Sequence, residues 1–175
     1  SEWSTDAVIA TDSNGVSLHV TWDADNFYVA WTGTDWASTS EGADLFVYFN
    51  TSESGSVLSK DWNFAHTLPF AAEYGFALED STYNQYFSYD GSSWVDQGTL
   101  DNSGIYVGWA DNPITEMAIP WTAIGSPTTV QFMVYAQWQD AGHVWTSFPS
   151  DNPSSSNGAE TFTHYYHIDN INNST

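Results

Sequence analysis

The sequence predicts an all-β chain folded as a two-sheet antiparallel β-sandwich, jelly-roll-like in layout, with about ten or eleven strands. Three observations carry this expectation. Apolar and polar residues alternate with a period of two along most of the chain. Clusters of Asp, Asn, Ser and Gly separate the alternating runs at regular spacing. No segment shows a convincing helical period, although Trp121 to Ile124 suits a single turn. With 175 residues the chain is sized for one domain, residues 1–175.

The elements follow in order. Val16, Leu18, Val20 and Trp22 share one face of a strand, with Ser17, His19, Thr21 and Asp23 on the other. After the turn Asp23-Ala24-Asp25-Asn26, Phe27, Val29 and Trp31 alternate with Tyr28, Ala30 and Thr32. Leu45 to Phe49 is continuously apolar, as a strand buried on both faces must be. Tyr74, Phe76 and Leu78 mark another inward face. Tyr83 to Tyr89 and Ser92 to Val95 flank Asp90-Gly91, a hairpin whose turn needs positive φ. Further strands are expected at Ile105 to Trp109, Thr115 to Pro120, Val130 to Gln139, Val144 to Ser147 and Phe162 to Asp169, ahead of a polar tail at 170–175.

The charge balance restricts partners. The formal net charge is -21, yet only 13% of residues are charged, because Lys60 is the sole Lys or Arg. Phosphate recognition needs Lys or Arg, so nucleic acid and anionic membrane surfaces are excluded as partners. No apolar run reaches the length of a membrane span. The chain has no Cys, so its core relies on the 17% aromatic residues and on β-branched side chains. A start at Ser1 without Met predicts a processed N-terminus, hence an extracellular or cell-surface location. The sequons Asn50-Thr51-Ser52 and Asn173-Ser174-Thr175 make Asn50 and Asn173 candidate glycosylation sites.

Several motifs together carry a family resemblance. "TWDADNFYVAWTGTD" leads through an acidic loop to "DLFVYFNT", and "AEYGFALED", "YFSYDGSSW", "EMAIPWTAIG" and "VQFMVYAQW" follow in order. This arrangement resembles family 9 carbohydrate-binding modules and related DOMON-like sandwiches, across most of Val16 to Tyr166. The resemblance implies a β-sandwich, a ligand held between aromatic rings and calcium in the loops. It assigns no single residue to sugar.

No motif for a Cys or Ser nucleophile, a zinc protease or a phosphate loop is present, so no catalytic residue is expected. Glu73, Glu79 and Glu116 are the carboxylates a glycosidase pair would draw on, and nothing in the sequence sets their separation. His164 and His167, three apart on a strand, point to opposite faces and cannot chelate one metal. For a metal, the acidic turns offer hard oxygen ligands. Asp23, Asp25 and Asn26 in one turn, with Asp35, Glu41 and Asp44 in the next loop, form a candidate structural Ca2+ site centred on Asp23, Asp25, Asn26 and Asp44. The same residues also serve local turn hydrogen bonding. Trp3, Trp36, Trp62, Trp94, Trp121 and Trp145 lie near strand ends, where an exposed ring can stack on a sugar. Trp36, Trp62 and Trp94 are the candidate sugar-binding set.

Thr5, Asp6, Ala7, Val8, Ile9 and Ala10 form a β-prone segment at the chain start. Such a segment (residues 1–10) can add to the open sheet edge of another copy, or fold back as a hairpin across Asn14-Gly15. Two non-enzymatic functions are therefore expected. The first is a subunit of a self-assembling extracellular filament or surface layer, with copies of itself as partner. The second is a carbohydrate-binding module for a neutral polysaccharide. No linker or second domain lies within the 175 residues, which places the assembly first.

Overall fold

A computed structural model describes residues 7–12, 15–33, 43–52, 54–62, 64–79, 82–109, 114–138, 143–154 and 157–171. Two antiparallel sheets face each other. Sheet A has the order β1-β2-β3-β11-β10, formed by Val8–Thr11, Ser17–Trp22, Asn26–Thr32, Ile114–Pro120 and Tyr106–Trp109 respectively. Sheet B has the order β13-β12-β4-β7-β8-β9, formed by His143–Phe148, Thr129–Trp138, Ala43–Asn50, Tyr74–Leu78, Asn84–Tyr89 and Trp94–Gly98. Tyr166–Asp169 (β14) also pairs with β12. A third, two-stranded sheet joins β5 (Ser56–Leu58) to β6 (Thr67–Ala72).

The alternation read from the sequence is the alternation of burial. Leu18, Val20, Phe27, Val29 and Trp31 of sheet A meet Leu45, Val47, Phe49, Phe132 and Val134 of sheet B in one apolar layer. Phe27 sits edge-on to Phe49 and to Phe132, each with ring centroids 5.2 Å apart. Such edge contacts match the positive ring rim to a negative ring face, and they fix the offset between the sheets. The Asp90-Gly91 hairpin forms as expected: Gly91 has φ 96°, and the Asp90 carboxylate accepts from the backbone N–H groups of Ser92 and Ser93, both at 2.8 Å.

Strand number is where the structure exceeds the expectation, with fourteen strands among the described residues. The additional ones are β1 at the edge of sheet A, and β5 and β6 in their own hairpin. β6 contains Pro69, which cannot donate to a ladder and so breaks the strand signature, yet is tolerated in a two-stranded edge. The predicted strand from Phe162 splits. Phe162 N–H donates to Thr67 at 2.9 Å, and regular pairing with β12 begins at Tyr166.

Sheet B is buried on both faces at its centre. In β4, Leu45, Val47 and Phe49 point toward sheet A, while Phe46 and Tyr48 point outward into a second apolar cluster with Leu68, Phe70, Met133, Tyr135 and Phe162. The β5–β6 hairpin and Phe162 cover this outer face. Gly75 of β7 lies under the Tyr48 ring, where an added Cβ would stand 2.7 Å from the ring carbon Cε1. Tyr48 is fully enclosed and cannot swing aside. Gly75→Ala is therefore expected to lower unfolding free energy by about 1–3 kcal/mol through overpacking. Urea denaturation checks this, and an unchanged midpoint would show that the ring has room.

Candidate functional site

The outer face of sheet B carries a buried polar network. The hydroxyls of Tyr48 and Tyr135 both donate to Asp61 Oδ1, at 3.2 and 2.5 Å, and the Lys60 N–H donates to the Tyr48 oxygen at 2.8 Å. His66 is completely buried beside them. Its Nδ1 accepts from the Glu160 N–H at 2.9 Å, so its Nε2 carries the proton and donates to Gln137 Oε1 at 2.7 Å. The same Nε2 lies 3.1 Å from Asp61 Oδ2. Burial pushes the Asp61 carboxyl up to about 6, opposed by His66 and by the tyrosine hydroxyls. The β5–β6 connection supplies Lys60, Asp61 and His66, while Tyr48 comes from β4 and Tyr135 and Gln137 from β12, which makes the network a clamp between the β5–β6 hairpin and sheet B.

Beside this clamp opens a cleft of about 250 Å3, lined by Tyr83, Asn84, Gln85, Asp96 and Thr99 among others. Trp62 stands behind this lining, in contact with Tyr83 and Gln85. Its ring packs on Phe46 at 5.6 Å and edge-on to Tyr83 at 5.2 Å, and its Nε1–H donates to Gln85 Oε1 at 2.5 Å. Gln85 in turn donates from Nε2 to Asp96 Oδ2 at 2.9 Å. Asp96 and Gln85 therefore fix Trp62, while Tyr83 leaves 52% of its surface in solvent. An exposed aromatic ring next to amide, carboxylate and hydroxyl groups is the chemistry that recognises a polyol: the ring covers C–H faces and the polar groups take hydroxyls.

The predicted sugar-binding set is partly brought together. Trp62 and Trp94 pack against the same outer cluster of sheet B. Trp94 is committed to the fold, with its Nε1–H donating to the Leu58 carbonyl at 2.9 Å and its ring against Tyr48 and Tyr89. Trp36 and Trp3 lie outside the described residues. Trp121 is buried against Phe27, and Trp145 packs on Trp138.

The predicted calcium set does not form one site. The Asp23 carboxylate is used by its own turn: Oδ1 accepts from the N–H groups of Asp25 and Asn26, both at 2.8 Å, and Oδ2 from the Tyr28 hydroxyl at 2.9 Å. Those hydrogen bonds hold the Asp23 carboxyl below its ordinary value. Asp44 lies elsewhere. The turn after β2 packs toward Phe49, five residues along β4 from Asp44, or about 17 Å at strand rise. The acidic groups acting on Asp44 are Glu79 and Asp61. Asp35 and Glu41 lie outside the described residues. Among the described residues, no three His, Asp or Glu side chains converge as metal ligands.

Other expectations are corrected or located. Asn50, a candidate glycan acceptor, is only 7% exposed at the end of β4. Ser52 of its sequon donates its hydroxyl to Glu73 Oε1 at 2.8 Å, so the folded chain closes this site to a bulky glycan. Asn173 is outside the described residues. Glu73 also accepts from the backbone N–H groups of Thr51, Ser52 and Ser54, and so pins that loop. Glu73 and Glu79 stand at opposite ends of β7, about 20 Å apart at strand rise, too far for a glycosidase pair, and Glu116 belongs to sheet A. His164 and His167 are exposed. Of the assembly segment, Thr5 and Asp6 are outside the described residues. Ala7 precedes β1, and Val8, Ile9 and Ala10 lie within it, on β2 of the same chain. The hairpin alternative is the one the single chain adopts.

Sequence reasoning missed Asp61, His66, Tyr83, Gln85 and Asp96 as site residues. Gln85 and Asp96 sit on alternating strands and look like ordinary polar faces. Asp61 and His66 sit in a connection whose partner Tyr135 is 74 positions from Asp61. The one local hint was a Trp, Trp62, beside an Asp in the connection between β5 and β6. Comparison with family profiles, characterised proteins and solved structures finds no match.

The buried acids set a pH dependence for the cation-free chain. Burial, with Glu79 and Asp61 adding repulsion, pushes Asp44 up to about 8, and Asp61 stands at about 6. Both lie above the unfolded value, so between these limits the native state holds more protons than the unfolded chain. The stability these two groups contribute is therefore full below about pH 4 and is lost as pH rises through 6 and then 8. Thermal melts in chelator at pH 4 to 9 should show this decline, with Asp61→Asn flattening its lower part and Asp44→Asn its upper part. Melting points that rise across that range would contradict the assignment.

Proposed function

We propose that the chain is a non-enzymatic, extracellular β-sandwich module that binds a neutral carbohydrate in the cleft beside Trp62 and Tyr83. The observation that carries this reading is the 52% exposed Tyr83 ring set against a Trp62 whose orientation is locked by Gln85 and Asp96. A cleft ring backed by a locked neighbour loses little freedom when a ligand stacks on it, which is how a shallow site gains affinity. Neutrality follows from charge. At a formal net charge of -21 with one Lys and no Arg, the chain repels anionic glycans and has no guanidinium to pair with their carboxylates or sulfates. A glycan array should therefore give hits among neutral polysaccharides only. Tyr83→Ala should weaken binding at least tenfold while leaving the melting temperature within a few degrees, because the ring lies at the surface. Undiminished binding by Tyr83→Ala would remove the cleft from consideration.

A second reading, self-assembly into an extracellular filament or layer, is favoured by a different observation. β1 is one edge of sheet A, and its Val8 and Ile9 are 37% and 39% exposed on opposite faces. An unguarded apolar edge is a template for another strand. Mutual repulsion of such acidic chains makes the association salt-dependent. Electron microscopy and light scattering in 1 M NaCl should then show polymers that Ile9→Lys disperses. A chain that stays monomeric under those conditions fails this reading and leaves the carbohydrate reading intact.

A further inference from the structure

Asp44 opens the outward row at one end of sheet B. It is fully enclosed, and neither of its carboxylate oxygens has a hydrogen-bond partner. In register it faces Gln137 of β12 on one side. On the other, the β4–β7 pairing Leu45↔Leu78 brings Glu79, the next residue, alongside it. Gln137 turns its Oε1 to His66, and its amide nitrogen makes no hydrogen bond to Asp44. The groups that act on Asp44 electrostatically, Glu79 and Asp61, are both acidic. Two carboxyl groups, Asp44 and Glu79, thus stand side by side at one end of sheet B, with a third, Asp61, acting on Asp44 from the β5–β6 connection.

Native interiors rarely leave a carboxylate unpaired, since an isolated buried charge costs several kcal/mol. This chain cannot supply the missing positive group from its own Lys or Arg. Lys60 is the only one, and it is exposed. Of the nearby His residues, His66 is spent at both ring nitrogens. Protonation of Asp44 would cancel its charge and still leave its oxygens without hydrogen bonds. A cation from solvent satisfies both. Carboxylate oxygens select a hard ion that accepts oxygen ligands at 2.3–2.6 Å, and water or main-chain carbonyls complete the shell.

We propose that the end of sheet B at Asp44 is a structural divalent-cation site of the Ca2+ type, with the Asp44 and Glu79 carboxylates as its protein ligands. The ion ties β4 to β7 where like charges would otherwise push them apart. It also stands on the same sheet face as Trp62, whose ring packs on Phe46 of the same outward row. Calcium is thus placed at a sheet end, away from the Asp23 turn, whose carboxylate is already consumed by local hydrogen bonds.

The test uses the full 175-residue chain, stripped with EDTA and exchanged into buffer. CaCl2 is added against NaCl of matched ionic strength, because screening alone stabilises so acidic a chain. The expected result is a saturable rise of several degrees in melting temperature, with about one ion bound per chain by calorimetry. Asp44→Asn should lose that rise, while Asp23→Asn keeps it. Should Asp44→Asn fail to fold, Glu79→Gln carries the test through terbium luminescence excited by tryptophan, where at least tenfold weaker binding is expected. No calcium response beyond matched NaCl overturns the proposal. So does a response that survives Asp44→Asn, or terbium binding unaltered in Glu79→Gln. Asp44→Asn that raises the melting point of a calcium-indifferent chain would show a protonated carboxyl in place of a metal ligand.

Discussion

Burial of sheet B on both of its faces is the constraint from which the rest of the architecture follows. Its central strands β4 and β12 send one set of side chains into the layer shared with sheet A and the alternate set into a second cluster on the outer face. A sheet wet on one side would need only polar residues there. Here Phe46, Tyr48, Met133 and Tyr135 need a cover, and the chain supplies it with the β5–β6 hairpin and the segment through Phe162. That cover must be anchored against large aromatic rings, and its anchors are polar. Tyr48 and Tyr135 converge on Asp61, and His66 bridges the Glu160 backbone and Gln137.

The same constraint generates the electrostatic tension of the molecule. Acidic groups that would be harmless on a surface are drawn into the outer layer, where desolvation raises Asp61 and Asp44 above the ordinary carboxylate range. Asp61 is compensated by two hydroxyl donors and a histidine. Asp44 has no such compensation among the described residues, and the physics that makes an unpaired buried carboxylate costly also makes it a strong ligand. The cleft at Tyr83 is a by-product of this layer: where the cover ends, Trp62 turns its edge to Tyr83, and the row Gln85 and Asp96 holds it there. Structural clamp, charged sheet end and exposed ring are thus neighbours on one face, and a ligand in the cleft would lean on elements that the clamp holds.

What could be read beforehand divides along range of interaction. The run Leu45 to Phe49 announced a strand buried on both faces, and each of its residues is buried. The Asp90-Gly91 turn and the turn at Trp121 to Ile124 were legible because each is decided within a few residues. β6 was hidden by Pro69, and β1 was legible as a β-prone segment but not as to which strand it would join. The acidic turn at Asp23 illustrates the opposite failure. Its composition suggested a metal, whereas its geometry shows every close contact of the Asp23 carboxylate to be local.

The sequence by itself determined the class of fold, the position of most strands, the polarity of each face and the sign of the electrostatic field. These depend on backbone periodicity, turn chemistry and summed charge, all of which are local or additive. Only the tertiary structure decided that Trp62 would stand beside Tyr83 and Gln85, that Asp61 would meet Tyr135, and that Asp44 would be parted from the Asp23 turn and set against Glu79. Those juxtapositions come from strand order and register, in which residues far apart in sequence become neighbours. A period of two says which face a side chain takes, but it says nothing of which strand will lie next to it.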